Sequence, residues 1–324
     1  MEKNPFRFSY DNKRYHTFDY EMKRLFGHKV VKIPLDAGFT CPNLDGSKGT
    51  GGCTYCGSRG AGEFAGKGGT LAEQFEDGKR TLSRKWPSAQ YFAYFQAHSN
   101  TYAPVSRLRS LFEEAISFEG VKGLCVATRP DLLPPGVLDL LEGLNRRTFL
   151  TVELGLQTVH DRTAERINRC HSFAEFLKGY SALTERGIRS CVHLINGLPG
   201  ETREMMLETA EQVAALSPWG IKIHMLHILK GTKLAEEYGK FPYQLPELEE
   251  YAALVCDQLE KFAPETVVER ITGDGPKDRV IAPLWTLRKR EVLAAVDKEF
   301  VRRESFQGSR RALAAGRLEL PKIL

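Results

Sequence analysis

Short runs of β-branched, aromatic and other apolar residues alternate with helix-like stretches along most of this 324-residue chain. The apolar runs lie at 30–36, 90–96, 123–128, 149–156, 190–196 and 221–226, with one more at 266–272. The helical patterns between them lie at 71–85, 107–116, 136–144, 160–166, 173–186 and 202–216. Strands that alternate with helices predict βα units and a parallel sheet. Six units are too few for a closed eight-stranded barrel, so the pattern predicts an α/β fold built on a parallel sheet or an incomplete barrel.

The composition and the cysteine usage are those of a cytoplasmic protein. Nothing in the chain approaches the roughly 18 consecutive apolar residues of a membrane-spanning helix, and the N-terminus lacks the apolar segment of a secretory signal. The seven cysteines are an odd number in a large chain, which argues against a disulfide framework and for reduced thiols. Cys125, Cys191 and Cys256 lie in apolar segments and are expected in the core. We therefore predict a cytoplasmic protein that does not enter a membrane.

The formal net charge of +5 resides in the last part of the chain. From Val267 onward there are 13 Lys or Arg and 8 Asp or Glu residues, so the preceding residues are balanced. A basic terminal segment is an electrostatic footprint for RNA, and it is equally the solvated face of a helix. Aromatic and basic residues interleave between Phe6 and Phe18, a composition that grips single-stranded nucleic acid. The alternative is that these rings pack against the rest of the fold.

Three cysteines lie together directly after the first predicted strand. Cys41, Cys53 and Cys56 are spaced C-x11-C-x2-C in a glycine-rich loop. Three thiols without a nearby fourth allow two interpretations: a structural zinc completed by a distant ligand, or an iron–sulfur cubane with one iron left open. Functional groups of parallel βα folds lie at the C-terminal ends of the strands. A ligand loop at that position favours the cluster over structural zinc.

The cysteine spacing and a second segment resemble a known family. The ending Cys53-Thr54-Tyr55-Cys56 resembles the radical S-adenosylmethionine (radical SAM) signature, and the wide first spacing is similar to the branch that includes the elongator catalytic subunit. The runs CPNLDG…GGCTYC and ITGDGPKDRVIAPLW resemble a bacterial branch of YtqA/YhcC-like radical SAM proteins. The resemblance covers nearly the whole chain. It implies a partial (β/α)6 TIM-like barrel with short N- and C-terminal extensions.

The resemblance also implies cofactors and chemistry. Cys41, Cys53 and Cys56 would hold a [4Fe–4S] cluster, and the open iron of the cluster would bind SAM. An electron from a low-potential donor such as flavodoxin or ferredoxin would cleave SAM to a 5′-deoxyadenosyl radical that abstracts hydrogen from the substrate. We place the N-terminal extension at 1–28, the barrel core at 29–245 and a basic C-terminal extension that packs on the barrel at 246–324.

Two predicted strand ends correspond to segments that bind SAM in the family, the first at its methionine amino group and the second at its ribose or methionine part. The usual Gly-Gly-Glu turn after the second strand is absent, which makes Gln96 and backbone carbonyls the candidates for the amino group. Glu153 and Gln157 share one face of a strand at a period of two and resemble an E-x-G-x-Q segment that contacts SAM. The alternative for Glu153 is a structural ion pair with a core Arg.

Three later segments resemble parts of the family's SAM site. Arg169 lies in a segment similar to N-R-G-H, with Cys170 in place of the usual Gly, and is expected to pair with the SAM carboxylate. Gly197 lies in a segment that the family places against the adenine. The backbone at Leu226 and Ile228 is expected to contact the adenine edge.

Polar residues after the second and third strands are the candidate substrate contacts. His98, Asn100 and Tyr102 follow an aromatic strand, and Arg129 lies in a segment resembling S/T-R-P-D. The alternatives are a capped loop for the first three and an ion pair with Asp131 for Arg129. No catalytic residue is assigned.

The basic segments, together with the resemblance to a branch linked with tRNA, predict a tRNA-modifying enzyme that acts on a wobble-uridine side chain. One alternative is a radical SAM enzyme for a small metabolite or a porphyrin-like molecule. The non-enzyme alternative is an RNA-binding module stabilised by zinc or by a cluster.

Overall fold

The computed structural model of the protein describes residues 4–60, 62–66 and 68–311, within which seven strands form one parallel sheet curled into a half-barrel. The strands follow one another in chain order as β1 (Val30–Leu35), β2 (Gln90–Phe95), β3 (Val121–Thr128), β4 (Phe149–Gln157), β5 (Arg189–Asn196), β6 (Gly220–Met225) and β8 (Val267–Arg270). A separate antiparallel pair consists of β7 (Ile228–Leu229) and β9 (Val280–Ala282). The predicted partial TIM-like barrel is confirmed. The run at 266–272 supplies the seventh strand.

Helices connect and flank the strands. They are α1 (Phe18–Phe26), α2 (Leu71–Ser83), α3 (Val105–Ser117), α4 (Pro135–Asn145), α5 (Asp161–Arg166), α6 (Phe173–Glu185), α7 (Arg203–Leu216), α8 (Lys233–Lys240), α9 (Leu248–Leu259) and α10 (Lys289–Arg302), with a 3₁₀ turn at Leu284–Leu287. Thr70, Ser172 and Thr202 each accept a backbone N–H in the first turn of a helix, which satisfies a donor that the helix leaves free. Of the helices in the described ranges, none is long and apolar enough to cross a membrane.

The two faces of the sheet are filled differently, because alternate residues of a strand point to opposite sides. Outward side chains such as Ile33, Phe95 and Val152 are fully buried in the main core, which also contains helix side chains. Inward side chains fill the lumen of the half-barrel in two layers. The lower lumen layer, near the N-terminal ends of the strands, is apolar and consists of Met22, Val30, Phe92 and Phe149 with Phe18 and Phe26. The upper lumen layer is polar and consists of Lys32, Tyr94, Glu153, His193, Lys222 and Glu269.

Helix α1 closes the bottom of the lumen. Its Phe18 and Phe26 rings meet the Phe92 ring edge-on, with centroids 6.1 and 5.7 Å away, and Met22 is fully buried beside them. The basic residue Lys32 of the upper lumen layer lies 4.9 Å above the Phe18 ring. The aromatic residue Phe18 of the N-terminal extension therefore takes part in packing.

The described parts of the two extensions also contact each other. Phe6 is buried, and the Phe8 ring stacks on His16 with centroids 4.7 Å apart. The backbone N–H of His16 donates to the side-chain oxygen of Gln307 over 2.8 Å. Residues 1–3 and 312–324 of the predicted extensions lie outside the described residues.

Candidate functional site

The cysteine loop, residues 36–57, follows β1 at the C-terminal edge of the sheet. Cys41, Cys53 and Cys56 are each partly exposed. The backbone N–H of Cys56 donates to the Cys53 carbonyl over 3.0 Å, which closes a tight turn between them. Gly51 and Gly52 have φ values of 74° and 73°, in the left-handed region that favours glycine. The loop therefore doubles back on itself, and its turns depend on residues without a side chain.

The three thiols form one electrostatic group. A hydrogen bond with the Cys56 thiol and the positive charge of Arg129 lower the pKa of Cys53 to about 7, against the opposing effect of burial. The hydrogen bond with Cys53, burial and the negative charges of Cys53 and Cys41 raise the pKa of Cys56 well above its usual range. Cys53 thus ionises more readily than Cys56, and thiolates are the form that ligates metals.

The donor set fits a cluster better than a single ion. In the described part of the chain, no group of three His, Cys, Asp or Glu side chains is arranged to hold one metal ion. A cubane differs, because three of its irons would each take one thiolate and the fourth would be left open. Three partly exposed cysteines and the charge of Arg129 beside them suit that requirement.

A buried amide attaches the cysteine loop to the loop between α5 and α6. Asn43 is fully buried, and its Nδ2 donates to the carbonyls of Asn168 and Arg169 over 2.8 and 3.0 Å. The same nitrogen lies 3.6 Å from Cys53 Sγ. In return, Asn168 Nδ2 donates to the Gly52 carbonyl over 2.7 Å. The sequence analysis assigned neither asparagine a role, although Asn43 stands in the CPNLDG motif.

Arg129 joins this attachment from the end of β3. Its Nη1 donates to Asn43 Oδ1 over 2.7 Å and to the Arg169 carbonyl over 2.6 Å. Its Nε and Nη2 donate to the two carboxylate oxygens of Asp131 over 3.0 and 2.9 Å. The side chain is 9% exposed. The ion pair with Asp131 is therefore present, and contact of Arg129 with a substrate stays a prediction.

Arg169 is enclosed by carbonyl oxygens. Its guanidinium donates to the carbonyls of Leu156 and Thr158 at the end of β4 and to that of His171. The Thr158 bond measures 2.6 Å. Only 1% of the residue is exposed. Arg169 thus holds the loop between α5 and α6 on the end of β4, and its predicted contact with the SAM carboxylate stays a prediction.

Glu153 is the centre of the upper lumen layer. Its two oxygens contact Lys32 Nζ at 2.7 Å, Tyr94 Oη at 2.6 Å and Lys222 Nζ at 2.5 Å, and His193 Nε2 at 2.9 Å. Although burial opposes it, the charges of Lys222 and Lys32 hold the pKa of Glu153 well below its usual range. The alternative of a structural ion pair is present with lysines in place of an Arg, and contact with SAM stays a prediction.

The polar segment after β2 reaches the cysteine loop. The Tyr102 hydroxyl lies 2.7 Å from Ser47 Oγ of that loop. Asn100 is fully buried, and its Nδ2 donates to the Ala127 carbonyl over 2.8 Å. His98 lies beside Gly60, where an added Cβ would be 3.1 Å from the His98 Nδ1. Gln96 begins this segment, and its backbone N–H donates to the Leu35 carbonyl over 3.3 Å.

Strained backbone collects at the same edge of the sheet. His98, Gln157, Asn168 and Cys170 have φ values of 59°, 65°, 53° and 57°, a region that residues with a side chain rarely adopt. His98 follows β2, Gln157 is the last residue of β4, and Asn168 and Cys170 lie in the loop between α5 and α6. Conformations of this kind cluster at functional sites, where the surroundings hold them in place.

An apolar group completes the site on its other side. Leu226 and Ile228 are buried together with Ile167, and Tyr55 of the cysteine loop packs against this group. The Leu226 N–H donates to the Asn196 carbonyl over 2.9 Å. Gly197 is adjacent, and an added Cβ there would lie 3.8 Å from the Leu226 Cβ. The structure thus brings the three predicted adenine contacts together beside the cysteine loop.

Two family models and several known proteins match this chain. The family model of the Radical SAM superfamily matches residues 47–213, and that of the Radical_SAM C-terminal domain matches residues 218–302. The uncharacterized protein YtqA of Bacillus subtilis (strain 168) is 52% identical over 309 residues, which cover 95% of this chain and 96% of that protein. The tRNA uridine(34) acetyltransferase of Methanocaldococcus jannaschii is 28% identical over 162 residues, which cover 49% of this chain and 29% of that protein.

A solved structure has a similar fold. The archaeal Methanocaldococcus infernus Elp3 with an N-terminal deletion matches with a TM-score of 0.64 and 17% identity. The match covers 90% of this chain and 69% of that chain. At this identity the likeness concerns the fold alone.

Proposed function

The chain belongs to the radical SAM superfamily, and on that premise we propose that it modifies tRNA at the side chain of a wobble uridine. Its cofactors are a [4Fe–4S] cluster and SAM. When bound, they supply a 5′-deoxyadenosyl radical by reductive cleavage of SAM, and the radical abstracts hydrogen from the substrate. The protein's own residues bind these groups, orient them and exclude water from them.

The cysteine loop carries the proposal. Cys41, Cys53 and Cys56 are the proposed cluster ligands, because their thiols interact with one another at the C-terminal edge of the sheet. Arg129 favours the thiolate form of Cys53. Asn43 places a donor near that sulfur, as groups around a metal site commonly do. A low-potential donor such as flavodoxin or ferredoxin is the proposed source of the electron.

Anaerobic reconstitution with iron and sulfide tests the ligand assignment. After addition of dithionite and SAM, we expect 5′-deoxyadenosine from the wild type and a loss of at least about 100-fold in Cys56→Ala, because the mutated cluster loses a ligand. Cys170→Ala is the matched control, since Cys170 is a partly exposed thiol in the adjoining loop. Its product yield should stay within twofold of the wild type. Zinc binding without cubane formation in the wild type would contradict the assignment.

The proposed SAM site lies between the cysteine loop and the apolar group. The closeness of Gly197 to Leu226, with Tyr55 packed beside them, supports an adenine site there. Arg169, two residues after Ile167 of the apolar group, is the proposed carboxylate partner. The further proposed contacts with SAM are those of Gln96, Glu153, Gln157 and Ile228.

The tRNA substrate is supported by a relative. The protein named tRNA uridine(34) acetyltransferase is similar to 49% of this chain, the part that the two proteins share. Deletion of the gene followed by nucleoside analysis of bulk tRNA tests the substrate. We expect one wobble-uridine derivative to disappear, and to return when the wild-type gene, but not the Cys56→Ala gene, is supplied. An unchanged nucleoside profile would reject tRNA and favour a small-molecule substrate.

A further inference from the structure

The upper lumen layer contains more ionisable groups than an ion pair requires. Glu153 on β4 meets Lys222 on β6 and Lys32 on β1, and these lysines also contact Glu269 on β8 over 3.5 and 2.5 Å. Two carboxylates and two ammonium groups balance each other without a further partner. His193 on β5 nevertheless donates to Glu153 over 2.9 Å. Charge balance therefore does not explain the imidazole.

Stability does not explain it either. Replacing buried ion pairs by well-packed apolar residues is often neutral or stabilising. The lower lumen layer fills the same lumen with apolar side chains only. A polar layer above an apolar one, on the side of the lumen that faces the cysteine loop, is the arrangement expected of a reaction site.

The partner of His193 fixes which of its nitrogens carries hydrogen. Nε2 lies 2.9 Å from a Glu153 oxygen, and an ionised carboxylate only accepts, so Nε2 carries the hydrogen. In the neutral ring, Nδ1 is then a hydrogen-bond acceptor. Burial and the charge of Lys222 lower the pKa of His193 below its usual 6.5, against its hydrogen bond with Glu153. The imidazole is therefore neutral near pH 7.

His193 is the most exposed of the four groups that meet at Glu153's network of charges. Its side chain is 18% exposed, those of Lys32 and Lys222 are 15% and 8% exposed, and that of Glu153 is completely buried. His193 pairs in register with Gly155, one pleat repeat above Glu153 toward the strand ends. The His224 ring lies beyond it, with centroids 5.5 Å apart. The network thus presents an imidazole, backed by a carboxylate, toward the open end of the lumen.

We propose that His193 is a catalytic residue that takes a proton from an N–H or O–H group of the substrate, with Glu153 as its positioning residue. The inference rests on the proposed function, since the substrate is then a nucleobase that carries such groups. The substrate's X–H bond breaks, its electron pair stays on the substrate, and the proton forms a new N–H bond at His193 Nδ1. The imidazolium is stabilised by Glu153. This step needs no oxidant or reductant.

The test compares His193→Gln with the wild type in the reconstituted enzyme, using bulk tRNA from the deletion strain. We expect 5′-deoxyadenosine within twofold of the wild type, but at least 100-fold less modified nucleoside, because a positioned general base contributes about 10²–10⁴-fold. His160→Gln is the matched control. This histidine lies outside the lumen, with its Nε2 3.0 Å from the Met205 carbonyl, and its variant should match the wild type in both products.

The pH dependence separates a proton acceptor from a packing residue. The groups that face His193 are Glu153 on β4, Lys222 and His224 on β6, and Glu269 on β8. Protonation of Nδ1 removes the acceptor, so wild-type product formation should fall as the pH drops through the pKa of His193, which lies below the usual 6.5. Wild-type nucleoside yield in His193→Gln would overturn the proposal. Equal loss of nucleoside and of 5′-deoxyadenosine would also overturn it.

A second measurement is independent of the substrate. If the wild-type enzyme forms 5′-deoxyadenosine but leaves tRNA unmodified, the proposed substrate is wrong, and the ¹⁵N spectrum of labelled protein then decides about His193. The ring signals of His193 are identified as those that are absent from the spectrum of His193→Gln. If they show a neutral ring with hydrogen on Nε2 at pH 7, they support the proposal. An imidazolium, or hydrogen on Nδ1, overturns it.

Discussion

The lower and the upper lumen layers are built on the same strands, but they obey different rules. Phe92 lies near the start of β2, and Tyr94 follows it on the same face one pleat repeat later. Likewise Phe149 begins β4, and Glu153 lies two repeats further along. The lower layer is closed by α1 and contains aromatic rings in contact, such as Phe92 and Phe149 with centroids 5.2 Å apart. The upper layer contains the buried charge of Glu153, whose partners come from four other strands, β1, β2, β5 and β6.

The difference shows that one part of the lumen stabilises the fold while the other holds groups suited to chemistry. Apolar side chains stabilise the fold in proportion to the area they bury, wherever they point. Ionisable side chains in the same space require partners in specific positions, since an unpaired buried charge is costly. The lower layer therefore supports the half-barrel, while the upper layer keeps a specific geometry below the cysteine loop. Mutations in the two layers should therefore differ in how much they lower the free energy of unfolding and in how that loss depends on pH.

The largest loss of stability is expected in the lower layer. Phe92→Ala removes a fully buried ring and should lower the free energy of unfolding by about 3–5 kcal/mol, the usual cost of such a cavity. Urea unfolding of the purified protein measures the change. The substitution leaves the cysteine loop unchanged, so the folded fraction of the variant should still assemble the cluster. A loss below about 1 kcal/mol would mean that the bottom of the lumen can collapse around the cavity.

A smaller loss is expected from the centre of the upper layer. Glu153→Gln keeps the shape but leaves Lys32 and Lys222 with Glu269 as their remaining carboxylate. We expect a loss of about 3 kcal/mol, at the lower end of the range for breaking a buried ion pair. The same urea series measures it. If Lys222→Met added to Glu153→Gln restores much of the loss, the cost lies in the unpaired charge rather than in packing.

The two layers should also differ in their response to acid. The folded-state pKa of Glu153 lies well below its usual 4.5, so its ionised form contributes stability that is present above pH 4.5 and is lost as the pH falls below that value. The urea midpoint measured from pH 6 to pH 3 should therefore fall less steeply in Glu153→Gln than in the wild type. Phe92→Ala should lower the whole curve without changing its slope, because it removes no titrating group.

Much of the fold could be predicted because periodicity is a local property of the sequence. The six apolar runs became β1 to β6, and the run at 266–272 became the seventh strand. The sequence could not assign that last strand to the sheet. Its partner, β6, is about forty residues away along the chain, and only three residue pairs join the two strands. Likewise, the packing of α1 under the lumen depends on contacts with β2 and β4 that no local pattern reveals.

The site was predictable where a motif marks it and not where contacts build it. The spacing of Cys41, Cys53 and Cys56 pointed to the cysteine loop. Lys32 and Lys222 went unnoticed, although a lysine at an inward position of an apolar strand is a usable signal. Asn43 and Asn168 attach two loops 125 residues apart, and such pairs can only be recognised once both loops are placed.

The smallest effect is expected at the boundary between the layers. Thr151 and Cys125 are fully buried, pair in register on β4 and β3, and have Oγ1 and Sγ 3.0 Å apart. Burial raises the pKa of Cys125 to about 11, so its sulfur is a neutral thiol and a weak partner. Thr151→Val exchanges a hydroxyl for a methyl group of similar size and should change the free energy of unfolding by less than about 1 kcal/mol.

The result locates the boundary, because Thr151 lies one pleat repeat below Glu153. A small change, measured by the same urea titration, would place Thr151 with the apolar layer and confine the polar network to the residues around Glu153. A loss as large as that of Glu153→Gln would extend the network down to β3 and make Cys125 one of its members. The double variant Thr151→Val/Glu153→Gln distinguishes the two cases, since the two losses add if Thr151 lies outside the network and fall short of their sum if it belongs to it.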